Sequence, residues 1–349
     1  MKPFYIILFA AIFFLGFSLY AYSQNSKYKK DNKFTLAFYN VENLFDTINN
    51  PQKKDEEFLP ESDKKWTTKR YWQKINNLSK VISSINLNGL PEIVGLCEVE
   101  NKSVLQDLVN SELLKPGDYQ IIHEESDDIR GIDVALIFRK EKFTYISHEV
   151  HKVKFTKDPD YTTRDILYVK GKLNNNEILH VFVNHWSSRR EGVEETEIKR
   201  IDAAKVLREK VDNLLKKDKN AKIFIMGDFN DEPTNNSLNI VLNATNNQRT
   251  TNFLELYNLM YDKHLNKVGS YNHRGEWNMI DNLIISQSLL KSKIGYVVST
   301  DGGQVFKERW MMFDNKKTGQ LTPSKSYGGP QYYGGYSDHF PVFVTLKNN

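Results

Sequence analysis

The sequence predicts an α/β fold in four layers, a sandwich of two packed mixed β-sheets flanked by helices. Apolar runs of strand length recur along the chain, segments with helical apolar spacing lie between them, and some strand runs follow one another directly. A chain that mixes many short strands with a few amphipathic helices in this way points to two packed sheets with helical covers.

At the start, no charged residue separates Lys2 from Lys27, and the apolar stretch 4–19 is followed by Ala21-Tyr22-Ser23. Small residues at 21 and 23 are those a signal peptidase reads, so residues 1–23 are expected to be a signal peptide, followed by a linker over 24–33. A retained membrane anchor is the rival reading, because the run is long for a signal core yet short of a typical span of ~20 residues. Cys97 is the one cysteine, so no intramolecular disulfide can form. An exported chain would then be stabilised by its core alone, in a periplasm, at an envelope or outside the cell.

Residues 34–347 read as one domain. Strands are expected at 34–39, 92–96, 134–138, 166–172, 178–183, 222–226, 282–285 and 341–346, all rich in Val, Ile, Phe and Tyr. Tyr71, Ile75, Leu78, Ile82 and Ile85 form one apolar helical stripe, with Trp66 and Trp72 read as its core aromatics. Ile198, Ile201, Ala204, Val211 and Leu214 form another. The stretch 301–337 differs, being rich in Gly and Tyr. Long loops of this kind are usually functional or disordered, and aromatics such as Tyr336 either stack on a base, sugar or head group or simply pack the loop.

A chain of 349 residues with 40% hydrophobic and 12% aromatic content is neither disordered nor fibrous. Removing Lys2 with the signal would take the formal net charge from +4 to +3. That is compatible with anionic substrates and too weak to establish nucleic-acid binding.

Polar and ionisable residues gather at the ends of the strand runs. Asn40 and Glu42 end the first, and Glu98 and Glu100 follow the second. Asn184 and His185 end 178–183, Asp228 and Asn230 end 222–226, Asp281 precedes 282–285, and Asp338-His339 precedes the last run. Ionisable groups set against a core cost free energy unless they are paired or bind something, and ligand sites of α/β folds lie at strand ends. Singly, each has a plain explanation: Glu98 as a surface residue, His185 beside Trp186 as a satisfied core histidine, Asp228 to Pro233 as a turn. Jointly they point to a site. Arg164, and Arg189 or Arg190, carry planar forks suited to non-bridging phosphate oxygens, or are solvated surface charges.

The order of these residues, with Gly-Leu-Cys-Glu-Val-Glu at 95–100, Asn-His-Trp at 184–186, Gly-Asp-Phe-Asn at 227–230 and Ser-Asp-His-Phe-Pro at 337–341, resembles the endonuclease/exonuclease/phosphatase superfamily. The resemblance spans nearly the whole chain after the signal and implies the same four-layered sandwich. It also implies a metal-dependent phosphoric ester hydrolase of nuclease or phosphatase type. Asn40 and Glu98 would be metal-site residues with Asp338 nearby, a set of oxygen donors suited to Mg²⁺, with Mn²⁺ as an alternative. Asp228 would orient or deprotonate water and Asn230 would donate its amide hydrogens to a phosphoryl oxygen. His339 and His185 are suited to proton transfer or charge stabilisation. By the same resemblance Asp281 would fix His339, and Asp133 would fix His185.

The expected activity is hydrolysis of an anionic phosphate ester, nucleic-acid phosphodiester bonds in DNA or RNA first, with phosphatase or lipid- or sugar-phosphate phosphodiesterase action on the same residues as the alternative. No obligate protein partner is indicated, and membrane contact follows only if the N-terminal segment is retained. A non-catalytic envelope binding protein is the reading of another class. Against it, every position the chemistry needs holds a competent residue.

Overall fold

The computed structural model describes residues 33–86, 89–316 and 319–349. The expected signal or anchor, and all of the linker but Lys33, lie outside them. Among the described residues no helix is long and apolar enough to cross a membrane.

The chain runs through β1 (Lys33–Leu44), α1 (Thr68–Ser84), β2 (Ile93–Val99), α2 (Lys102–Val109), β3 (Tyr119–His123), β4 (Asp133–Arg139), β5 (Phe143–His151), β6 (Ile166–Leu173) and β7 (Ile178–His185). It continues through α3 (Val193–Lys217), β8 (Lys222–Asp228), β9 (Ala244–Thr245), β10 (Leu256–Asn258), α4 (Tyr261–Leu265), β11 (Tyr271–His273), β12 (Glu276–Asn278) and β13 (Asp281–Ile285). Then come α5 (Gln287–Lys291), β14 (Tyr296–Val297), β15 (Gln304–Val305), β16 (Met312–Asn315), β17 (Gln320–Pro323), β18 (Tyr327–Gly328), β19 (Gln331–Tyr332) and β20 (Val342–Asn348).

Two 7-stranded sheets result. One has the order β14-β20-β1-β2-β4-β3 with β15 also on β20; the other is β5-β6-β7-β8-β13-β10-β9. Both are mixed, because β1 and β2, and β7 and β8, pair in parallel while most neighbours are antiparallel.

Alternation along the strands sorts the apolar side chains into layers. Phe34, Leu36 and Phe38 of β1 meet Val181, Val183, Phe224, Met226 and Leu283 between the sheets. Ala37, Tyr39 and Val41 face outward onto Ile75, Leu78 and Ile82 of α1. On the other outer face, Phe182, Ile223 and Ile225 pack under Ala204, Leu207 and Val211 of α3. This is the expected order of helix, sheet, sheet, helix.

Every expected strand is present, and those that carry polar ends run further than their apolar runs. β1 continues through Asn40 and Glu42, β2 through Glu98, β7 to His185 and β8 to Asp228. The ladder takes in these polar residues because it needs only their backbone. The β3 and β5 strands had no apolar run to reveal them. As edge strands they are buried on one side at most, and β5 alternates with Thr144, Ser147 and Glu149. Trp72, expected in the core, is 45% exposed, whereas Trp66 is buried just ahead of α1 and donates its indole N–H to the Phe45 carbonyl.

Candidate active site

The residue two positions beyond the last inter-sheet core side chain on each central strand points the same way as that side chain. This rule places Asn40 after Phe38, His185 after Val183, Asp228 after Met226 and Asp281 before Leu283 at one end of the seam between the sheets. His185, Asp228 and Asp281 stand abreast, since His185 pairs with Asp228 across β7 and β8, and Asp228 with Asp281 across β8 and β13. Gly227 lets the parallel pair close up, because a Cβ there would lie 2.5 Å from the Asn184 carbonyl oxygen.

Glu98 arrives by another route. The pairing of β2 slips between Cys97 and Val99, and that of β1 between Asn40 and Leu44. Glu42, Asn43, Glu98 and Asn230 all hold φ between 50° and 62°, a left-handed backbone that non-glycine residues adopt at a cost. The bulge turns Glu98 out of the alternation so that its carboxylate reaches the site. There Glu98 Oε2 accepts from the Asn43 N–H at 3.0 Å and Oε1 lies 3.9 Å from His185 Nε2.

The two sheets are tied at this point by the Asn40 amide, which donates to Asp228 Oδ2 at 3.0 Å. Ser337 donates to the Asn40 carbonyl at 2.7 Å and accepts from the His339 N–H at 3.0 Å, which fixes the last loop over β1. His339 Nδ1 and Asp281 Oδ2 are 2.7 Å apart, and Ser270 donates to the same carboxylate oxygen at 2.6 Å. The other ring nitrogen, Nε2, faces Asp228 Oδ2 at 3.8 Å and Asp338 Oδ1 at 3.9 Å. Asn230 donates from its side chain to the Trp186 carbonyl, and its backbone N–H caps Asp228 Oδ1.

The charges separate the two histidines. Burial alone would lower the pKa of His339, but the hydrogen-bonded Asp281 carboxylate, with Asp228 and Asp338, holds it well above 6.5. Burial, reinforced by the Arg164 and Arg130 charges, holds His185 well below 6.5. His339 is therefore a cation and His185 neutral near pH 7. Asp228 is pushed up to about 7 by burial and by Asp281. Asp338 has 36% of its side chain open, yet crowding beneath it and the Glu42 and Glu98 charges push it up to about 7 as well.

Several expected contacts are absent. Asp133 does not fix His185: its Oδ1 accepts from the Ser126 N–H and its Oδ2 lies 3.3 Å from His123, while His185 Nδ1 has no partner. Arg164 is buried, with its two terminal nitrogens on Asp128 Oδ2 and the Trp186 carbonyl and its Nε unpartnered, so it stands behind His185. Arg189 reaches the Asn230 carbonyl, Asp231 and Asn235 and braces the turn after β8, while Arg190 is exposed. Tyr336 packs its ring on Trp310 beside Lys80, and Lys74 of α1 binds its carbonyl, so this ring belongs to the loop packing.

Other residues join the site without a role having been assigned to them. Glu42 accepts from the Ser326 N–H and lies 3.4 Å from Lys74 Nζ, and its position two after Asn40 was the available signal. The Tyr271 ring lies 4.7 Å from the His339 ring, a contact across 68 residues that no local pattern announces.

The donors suit a hard divalent cation. Glu42, Glu98 and Asp338 crowd like charges together, the arrangement a cation relieves, and all are oxygen donors of the kind Mg²⁺ or Mn²⁺ takes, as is Asn40. Among the described residues the groups whose ligand atoms lie within 4.8 Å of one another are different ones, Cys97 with His185 and Asp228, and Asp228 with Asp281 and His339, and in the second a protonated imidazole already bound to a carboxylate is no ligand.

A family model described as the Endonuclease/Exonuclease/phosphatase family matches residues 35–348. No curated protein matches by sequence. Among solved structures, D. rerio TDP2 complexed with single strand DNA product superposes with a TM-score of 0.54 at 13% identity, covering 91% of this chain and 100% of that one. An endonuclease/exonuclease/phosphatase family protein from Bacteroides thetaiotaomicron gives 0.51 at 18%, over 91% and 98%. The human nocturnin catalytic domain with bound sulfate gives 0.51 at 14%, over 91% and 95%. At such identities these likenesses concern the fold.

Proposed function

The chain belongs to the endonuclease/exonuclease/phosphatase family, whose members are metal-dependent phosphoric ester hydrolases, and we propose that it is an exported, Mg²⁺-dependent endonuclease that cuts phosphodiester bonds of DNA or RNA. The observation that carries this reading is the meeting, at one end of the seam, of an oxygen-donor cluster and His339 from the first sheet and the loop before β20 with Asp228 and Asp281 of the other sheet. Export rests on the apolar stretch 4–19 and the small residues at 21 and 23. A nucleic-acid substrate is supported by the open groove of about 900 Å³ that runs past Asp338, more room than a lone phosphate requires, and by the single-stranded DNA product bound to the D. rerio TDP2 neighbour.

Asn40, Glu98 and Asp338, with Glu42 beside them, would hold the cation, which when bound neutralises phosphoryl charge and lowers the pKa of a water. Asp228, buried and raised to about 7, accepts a proton from the attacking water near neutral pH. Asn230 has an amide hydrogen left over after Trp186 that it can donate to a phosphoryl oxygen. His339, kept charged by Asp281, offers its Nε2 proton to developing negative charge on the phosphoryl group. Neutral His185 beside Glu98 and Asp228 can orient a water without adding charge.

Hydrolysis of plasmid DNA, RNA, bis(p-nitrophenyl) phosphate and p-nitrophenyl phosphate by the purified protein, with Mg²⁺ or Mn²⁺ and with EDTA, tests the assignment beside a His339→Ala control. Metal-dependent nicking that disappears in the control is expected. Activity confined to the monoester would make the protein a phosphatase, and inactivity on all four would reject the nuclease reading.

A further inference from the structure

Beyond the scissile site the groove is walled by two hairpins, β16–β17 and β18–β19, and each presents an aromatic ring to solvent. Phe313 from β16 is 49% exposed and Tyr333, just after β19, is 54% exposed. Their rings lie 6.0 Å apart at 29°. An exposed apolar patch rimmed by polar residues marks an interaction site or ligand groove, and here the backbone is built to hold the pair. The Tyr333 N–H is fixed on the Ser326 carbonyl at 2.9 Å. Gly328 leaves the space its ring needs, since a Cβ at that position would lie 2.6 Å from Tyr333 Cε2. Arg274, Lys316 and Lys325 line the same groove, Asp314 being the acidic group among them, and Tyr271 and Asp338 carry the wall back to His339.

Resting on the phosphodiesterase reading above, we propose that Phe313 and Tyr333 form a stacking platform for an unpaired nucleobase of a single-stranded nucleic acid whose scissile phosphate sits at Asp338 and His339, with Arg274, Lys316 and Lys325 taking the flanking phosphates. Base–aromatic stacking needs a free π face, which a strand offers and a duplex hides within its own stack. The cations supply the sequence-independent part of the binding. A lipid surface is the poorer fit, because the apolar area is a pair of flat rings set among charges and not a continuous greasy patch.

The full chain carrying His339→Ala, kept in Mg²⁺ so that metal is present and turnover is stopped, is titrated with a short single strand containing 2-aminopurine, with the same strand as a duplex, and with anionic lipid vesicles. Quenching of the probe and tighter binding of the single strand are expected. Phe313→Ala and Tyr333→Ala, added to that background, should each weaken single-strand binding by about 5- to 100-fold, while Phe313→Tyr and Tyr333→Phe retain it. Equal affinity for strand and duplex, no loss on removing the rings, or preference for vesicles would each overturn the platform. Hydrolysis of bis(p-nitrophenyl) phosphate by the protein with His339 intact is the separate check on the phosphodiesterase reading, so the two failures are told apart.

Discussion

At the scale of single residues, the site works by setting one histidine charged and its neighbour neutral. His339 is held charged by a carboxylate 2.7 Å away, while His185 is kept neutral by burial and nearby guanidinium groups. Asp281→Asn should leave the fold intact and lower kcat by about 10- to 100-fold, because the imidazole loses both its orientation and the charge that keeps it protonated. A smaller effect than that, read from initial rates on a diester, would mean that the Tyr271 ring packed on His339 suffices to hold it. A histidine outside the site governs stability instead. Burial on β7, with the Lys170 charge, lowers His180 to about 4, and its Nδ1 lies 2.7 Å from the Tyr168 hydroxyl. Below about 6.5 the unfolded chain takes up a proton that the folded chain refuses until about 4. The unfolded state therefore binds more protons in that window, and stability falls as pH drops through it, by up to about 3 kcal/mol from this group. Urea midpoints of His180→Gln should decline less steeply from pH 6.5 to 4 than those of the parent protein.

At the scale of elements, the chemistry depends on how closely strands approach and where they bulge. Gly227→Ala should push β8 from β7, part His185 from Asp228 and cost at least tenfold in activity together with about 1–3 kcal/mol of stability, measured by initial rates and denaturant unfolding on one preparation. Much of this was legible in the sequence, because Asn40, His185, Asp228 and Asp281 keep the period of two of their strands and so sit in line with Phe38, Val183, Met226 and Leu283. Glu98 could be located but not aimed, since the bulge that turns it depends on the pairing of β1 with β2 and β4. Asp133 went to His123 on the neighbouring β3, a strand with no apolar run to mark it. Arg164 and Arg189 turn to the protein for a related reason: a planar fork suits a carbonyl or a carboxylate of the protein as well as it suits phosphate, and composition does not distinguish them.

At the scale of the whole molecule, a metal that binds the folded chain and not the unfolded one raises stability by about 2.7 kcal/mol at a hundredfold excess over Kd. Titrating Mg²⁺ or Mn²⁺ should therefore raise the melting temperature, and Glu98→Gln should abolish most of the rise. An unchanged melting temperature in the parent protein would exclude a tight cation site in the carboxylate cluster.

The array draws on both sheets, and each sheet is hydrogen-bonded within itself, whereas the seam between them is largely apolar contact, closed at the site by Asn40 on Asp228 and His339 on Asp281 and further along by Lys222 on the Tyr296 carbonyl. Apolar contacts permit small sliding at little cost in a way that ladders of directed bonds do not. Turnover is thus a vernier on the alignment of two plates: in gentle denaturant or under hydrostatic pressure the enzyme should fall silent while its circular dichroism is still that of the intact fold.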